Sequence, residues 1–156
     1  MDIMSICWYK DDELGIFFSS YPDISVQYVY PSTSKKDKNQ ICKKPFRLNN
    51  DLEIQIFDYY NNDKFTFNIN SDYTWDGATI PRFFWRIFGA NTDNRFLIPS
   101  LIHDVLCENH EYINVNRYLS TLIFERLLYV SKINPFSRWI MKHSVDNFQK
   151  FCNWEN

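Results

Sequence analysis

His103 and Asp104 stand side by side in the apolar run Leu101-Ile102-His103-Asp104-Val105-Leu106. An imidazole and a carboxylate among apolar neighbours must be satisfied by partners or put to use, because burying either one unpaired is costly. Together they carry acid–base chemistry. A histidine can take a proton from water at neutral pH, and a carboxylate can orient the ring or hold a divalent cation. Asp76 is a third group of this kind, fixed just ahead of Gly77-Ala78. On a helix, Cys107 shares the His103 face at i, i+4, and Glu108 shares that of Asp104. Adjacent helical residues point about 100° apart, so His103 and Asp104 are expected not to face one another; they face two neighbouring helices or border one pocket. The plainer alternatives are a core histidine bonded to backbone and an aspartate serving a helix dipole or an ion pair. Both readings stand at this point.

The stretch Trp75-Asp76-Gly77-Ala78-Thr79-Ile80-Pro81-Arg82 reads as a strand-to-helix corner. The chain has 3 Gly and two Ala, yet Gly77 and Ala78 are adjacent, so the backbone here excludes bulky side chains. Glycine serves positive φ or close backbone approach. Pro81 biases Ile80 to an extended conformation and suits a first helical position. A tight turn without chemistry would also explain these residues.

The elements that position these groups follow from periodicity. Ile24, Val26, Tyr28 and Tyr30 alternate with polar residues or Val29, as do Leu52, Ile54 and Ile56, and Phe65, Phe67 and Ile69. Each is a half-buried strand, and Tyr60-Asn61-Asn62-Asp63 makes residues 51–70 a hairpin. The segment Ser32 to Lys44 holds five lysines and reads as a solvated loop. Helices are expected over Pro81 to Phe88, closed by Gly89; over Leu97 to about Glu108; from an Asn114 cap to about Lys132; and from Asn134-Pro135 onward, with Trp139, Ile140, His143, Phe148 and Phe151 along it. In the third helix Arg117, Thr121 and Glu125 form a polar stripe. It is a solvent face, or a surface from which Arg117 or Glu125 pairs with Asp104. His110 is expected to be exposed and His143 structural. Strands first and helices after give an α+β chain of one domain, β-rich over 1–74 and helical over 80–153: an antiparallel sheet of hairpins packed on about four helices.

A length of 156 residues suffices for a real core, and a net charge of -2 gives no general affinity for nucleic acid or membranes. Aromatic residues make up 19%, which fits either an aromatic core or an adhesive surface. Cys7, Cys42, Cys107 and Cys152 are far apart and form no C-x-x-C pair, which argues against structural zinc or a disulfide framework and for reduced thiols in a cytosol. The N-terminus lacks a basic start and meets Asp11, Asp12 and Glu13 early, unlike a signal peptide, and no apolar run spans a bilayer.

The two polar blocks together, Asp76-Gly77-Ala78-Thr79-Ile80-Pro81-Arg82 and then His103-Asp104-Val105-Leu106, resemble domain of unknown function family 1353, which is scattered through bacteriophages and prophages. Its signature runs D-G/L-A-S-I-P-R, A-A-x-x-H-D-x-L-Y and R-x-x-A-D-x-x-F. The resemblance covers about residues 50 to 130 in matching order and spacing. Thr79 keeps the hydroxyl of the usual Ser, Cys107 stands where the family usually has Tyr, and Arg117 and Phe124 match the third block. Thr121 stands where the family has Asp, which puts in doubt any ligand or base-orienting role for that position. The resemblance implies a phage-type origin and a shared site formed by Trp75, Asp76, Gly77, Ala78, Thr79, Pro81, Arg82, His103, Asp104, Arg117 and Thr121, and no established reaction.

Two functions are expected of such a chain. The first is a non-enzymatic binding or host-interaction protein, or a minor virion component, located in a host cytoplasm or a virion. It would meet a protein partner or small ligand at the Asp76/His103 corner, with no membrane and no nucleic acid partner. The second is a hydrolase-like enzyme with Asp76, His103 and Asp104 as its acid–base site. No cofactor is expected, and no tightly bound transition metal, because three converging His, Cys or carboxylate ligands are not in view.

Overall fold

Alternation of Leu52, Ile54 and Ile56 with Glu53, Gln55 and Phe57 sends one set of side chains to each side of strand β5 (Leu52–Asp58), and the first set is buried. The computed structural model describes residues 5–26, 46–75, 77, 94–151 and 154. In it β5 pairs with β6 (Asp63–Ile69) as the expected hairpin. The Asp58 carboxylate accepts the backbone N–H of Tyr60 and of Asn61, each at 3.1 Å, and Asn62 takes a left-handed φ of 56°. Two further strands, β1 (Ile6–Lys10) and β2 (Leu14–Phe18), complete an antiparallel sheet in the order β1-β2-β5-β6. Both escape a period-two reading. β2 is buried along nearly its whole length, and β1 carries a register shift between Cys7 and Tyr9.

A smaller antiparallel sheet joins β3 (Ile24–Val26), β4 (Phe46–Leu48) and β7 (Thr74–Trp75) in the order β3-β4-β7. After a 3-10 turn at Asn94–Phe96 come α1 (Leu97–Ile113), α2 (Arg117–Val130) and α3 (Pro135–Phe151). The architecture is α+β, strands before helices. The described residues hold three α-helices rather than about four. The helix expected at Pro81 to Phe88, the continuation of β3 to Tyr30 and the lysine-rich segment lie outside the described residues.

The boundary at Asn114 is a correction. It does not cap α2. It ends α1 in the left-handed conformation, φ 60°, with its N–H on His110 O at 2.9 Å. The cap of α2 is Asn116, whose Oδ1 accepts the Leu119 N–H at 2.8 Å. Asparagine serves both ends of a helix, so two asparagines in one connection can be assigned either way. At α3 the expected start holds: Asn134 Oδ1 accepts the Ser137 N–H at 2.9 Å ahead of Pro135.

The main core lies between the inner sheet face (Leu14, Ile16, Phe18, Ile54, Ile56) and the helices α1 and α2 (Leu101, Ile102, Val105, Leu119, Ile123, Leu127). A second cluster, Phe96, Phe124, Leu128, Ile133 and Met141, seats α3 on α2.

The β1–β2 turn is tied to α2 by charge. Arg126 reaches Asp11 at 3.1 Å, Glu13 at 3.4 Å and Glu125 at 2.5 Å. Burial pushes the Asp11 carboxyl up. The Tyr9 hydroxyl, the Leu14 and Glu13 N–H groups and the Arg126 charge outweigh it and hold the group below its ordinary value. Burial, followed by the hydrogen bond to Asp11, pushes the Tyr9 phenol up to about 12. The folded state therefore favours the neutral phenol. Its contribution is complete below the ordinary value of 10.0 and is lost as pH rises through about 12. Urea unfolding of the chain and of Tyr9→Phe should accordingly show a stability gap that is constant up to about pH 10 and shrinks above it. A gap that widens over that range would refute the assignment.

Candidate functional site

The second block of motif residues stands on α1, and the first follows β7 in the sequence. Trp75 is 1% exposed and its indole N–H donates to Ser100 Oγ at 3.1 Å. Ser100 lies three residues before His103, one helical turn away on a neighbouring face. Tyr73, two residues earlier, donates its hydroxyl to Glu108 Oε2 at 3.0 Å. Tyr73 and Trp75 thus pin the end of the small sheet to α1 on both sides of His103-Asp104. Gly77 has φ 86°, the left-handed region expected for it. Gly77→Val should destabilise the chain by more than about 1 kcal/mol in denaturant unfolding, since a β-branched residue is strained there. Asp76, Ala78, Thr79, Pro81 and Arg82 lie outside the described residues.

His103 is held from the side of α3. Gln149 Nε2 donates to His103 Nε2 at 3.0 Å and to Ser120 Oγ at 3.2 Å, while Thr121 Oγ1 donates to Gln149 Oε1 at 3.0 Å. Gln149 is 1% exposed and Thr121 4%. With the amide so oriented, His103 Nε2 is an acceptor and the ring proton resides on Nδ1, on the side of Asp104. Asp104 Oδ1 approaches Nδ1 to 3.7 Å, longer than a hydrogen bond. The expectation that the two would not face one another is corrected. Their Cβ atoms diverge, but helical side chains lean back toward the N-terminus, so two polar heads can still meet.

Cys107 Sγ lies 3.3 Å from His103 Nε2 and 3.8 Å from Nδ1. A thiol on either in-plane lone pair would be much farther from the other nitrogen, so the sulfur sits against the ring rather than on its acceptor axis. This is a soft packing contact of sulfur with a π system, and it gives no thiol–imidazole proton transfer. Among the described residues, no three His, Cys, Asp or Glu side chains are grouped so as to hold a metal ion.

The polar stripe on α2 is neither a solvent face nor a partner of Asp104. It meets α3 along its length: Arg117 pairs with Asp146 at 3.4 Å, Thr121 with Gln149, and Glu125 with Arg138 at 3.2 Å. A stripe at i, i+4, i+8 looks the same facing water or facing a polar row on a second helix. His110 is half-buried rather than exposed, its ring stacked on Trp154 at 4.4 Å. His143 is exposed, edge-on to Trp139 at 4.6 Å. Gln149 is the site residue that sequence reasoning missed. Its one signal was a glutamine on what became the inner face of α3, opposite Thr121.

The model of one protein family, Protein of unknown function (DUF1353), matches residues 53–145. The chain belongs to this family. The DUF1353 region begins in β5 and ends within α3, so it takes in the corner, His103-Asp104 and all of α2. It stops short of Gln149, and β1 and β2 precede it. No curated protein and no solved structure matches the chain. No helix among the described residues is long and apolar enough to cross a membrane.

Proposed function

We propose that this DUF1353 chain is a non-enzymatic binding protein, of the kind phages carry as host-interaction proteins or minor virion components, acting in a host cytoplasm or in a virion. Its partner, a protein or small ligand, meets the Asp76/His103 corner, and His103 supports that corner from within. One observation carries this reading: the imidazole Nε2 is engaged by the buried, uncharged amide of Gln149, which is itself held by Ser120 and Thr121. A general base works on water it can reach and is steadied by a group that stabilises the imidazolium. Here Nε2 is occupied by an amide donor, and Nδ1 carries the proton.

The hydrolase-like reading keeps one supporting observation, the 3.7 Å approach of Asp104 to the protonated nitrogen. With Asp76 beside them, these groups would form an acid–base site. The two readings separate on His103→Gln. The wild-type chain and the variant are incubated with a chromogenic ester and a chromogenic phosphodiester across pH 5 to 9, and both are melted. The binding reading expects hydrolysis at the buffer background for both proteins, and a lower melting temperature for the variant. Turnover above background that disappears with His103 would make the chain a hydrolase.

A further inference from the structure

Between Glu125 and Asp146 the chain has no Asp or Glu, yet it carries Arg126, Lys132, Arg138 and Lys142. Arg126 and Arg138 are neutralised by Asp11, Glu13 and Glu125. Lys132 and Lys142 make no ion pair among the described residues. The same stretch exposes three large aromatic side chains: Tyr129 at 56%, Phe136 at 62% and Trp139 at 60%. Phe136, Trp139 and His143 share the outer side of α3, while Ser137, Met141 and Gln149 point inward. Two of the three aromatics are braced. Arg138 lies 4.9 Å from the Tyr129 ring centroid, and Trp139 stands edge-on to His143. Aromatic anchors set among cations are the composition of a protein-binding hot spot.

Charge selects the occupant. A second copy presenting the same face would set lysines against lysines. A nucleic acid or an anionic bilayer extends past the patch and meets a chain whose net charge is -2. A short acidic segment meets the patch alone, because fields at physiological salt are screened within about 8 Å. We propose that Tyr129 and the outer face of α3 dock an acidic segment of a partner protein, one carrying leucine or aromatic anchors between its carboxylates. This inference rests on the reading of the chain as a binding protein and names a surface apart from the Asp76/His103 corner.

The test uses the full chain and a fluorescein-labelled synthetic peptide of Asp and Glu with Leu and Phe at helical spacing, followed by anisotropy. Oligo-dT and phosphatidylglycerol vesicles are titrated in parallel. The peptide should bind, and more weakly as salt rises. Phe136→Ser with Trp139→Ser should weaken binding about tenfold or more. Lys132→Glu with Lys142→Glu should weaken it and flatten the salt dependence. Phe136, Trp139 and Lys132 are exposed and Lys142 is half-buried without an ion pair among the described residues, so both double variants should keep a melting temperature close to that of the wild type. The lysine pair keeps the test open should the aromatic pair fail to fold. Absence of peptide binding, affinity unchanged in a folded variant, tighter binding to oligo-dT or vesicles, or a dimer dispersed by these substitutions would each overturn the proposal. None of those results would bear on hydrolysis at His103.

Discussion

Replacing Gln149 by leucine is expected to cost the chain on the order of 3 kcal/mol, read from urea unfolding. Leucine nearly matches glutamine in size, so little cavity opens. The loss comes from the groups left behind. His103 Nε2 loses its donor, Ser120 Oγ loses a donor, and Thr121 Oγ1 loses its acceptor, all in places that water reaches poorly. A buried polar group without a partner costs about 1–3 kcal/mol, and three are affected, though the hydroxyls can turn toward backbone carbonyls. Thr121→Val in the same background should be milder than Thr121→Val alone, since the hydroxyl has already lost its acceptor. The two substitutions therefore form a double-mutant cycle with a coupling energy of about 1 kcal/mol. Strict additivity would mean that the Thr121–Gln149 hydrogen bond is absent in solution.

The second large effect is expected at Trp75. Trp75→Ala should cost about 3–5 kcal/mol, the range for emptying a large aromatic site in a core. The indole packs with Phe46, ring centroids 5.7 Å apart, and with Tyr73 at 6.2 Å. It is therefore the filler between the small sheet and α1. Ser100→Ala is a sharper probe of the same junction. It keeps the packing but strands the buried indole N–H, for about 1–3 kcal/mol. Trp75→Phe should be gentler than its lost volume implies, because donor and ring portion leave together. The Ser100 hydroxyl also keeps its bond to Leu97 O, at 3.1 Å. If Ser100→Ala proves as damaging as Trp75→Ala, the junction is held by the hydrogen bond and not by packing.

Much of this fold was legible from periodicity, and the reasons for the exceptions are specific. The β5–β6 hairpin alternates cleanly because one face is more deeply buried than the other, which is half-buried in β5 and exposed in β6. Strand β2 does not, because Leu14, Gly15, Ile16 and Phe18 are all covered and only the pairing with β1 and β5 reveals it. At the site, His103 and Asp104 were visible as polar groups in an apolar helix, and Gly77 as a glycine kept where glycines are scarce. Gln149 was not, because its role depends on α3 folding back along α2, a tertiary fact that no local pattern encodes. The stripe Arg117, Thr121 and Glu125 failed for the same reason: a helix pattern shows which residues share a face, and the neighbour decides what that face meets.

The strand order also sets the order of assembly. The hairpins β1–β2 and β5–β6 each close over a few residues, within Asp11 to Glu13 and Tyr59 to Asn62, and each can form on its own in microseconds. Joining them through β2 and β5 requires Leu14 to find Asp58 and Phe18 to find Ile54, with β3 and β4 carried in the intervening chain. Closing that loop spends entropy before any long-range contact forms. The β2–β5 seam is thus the natural place for the folding barrier. The α2–α3 polar row pairs Arg117 with Asp146, Thr121 with Gln149 and Glu125 with Arg138 around a short turn, so it closes smaller loops than that seam and spends less entropy in forming.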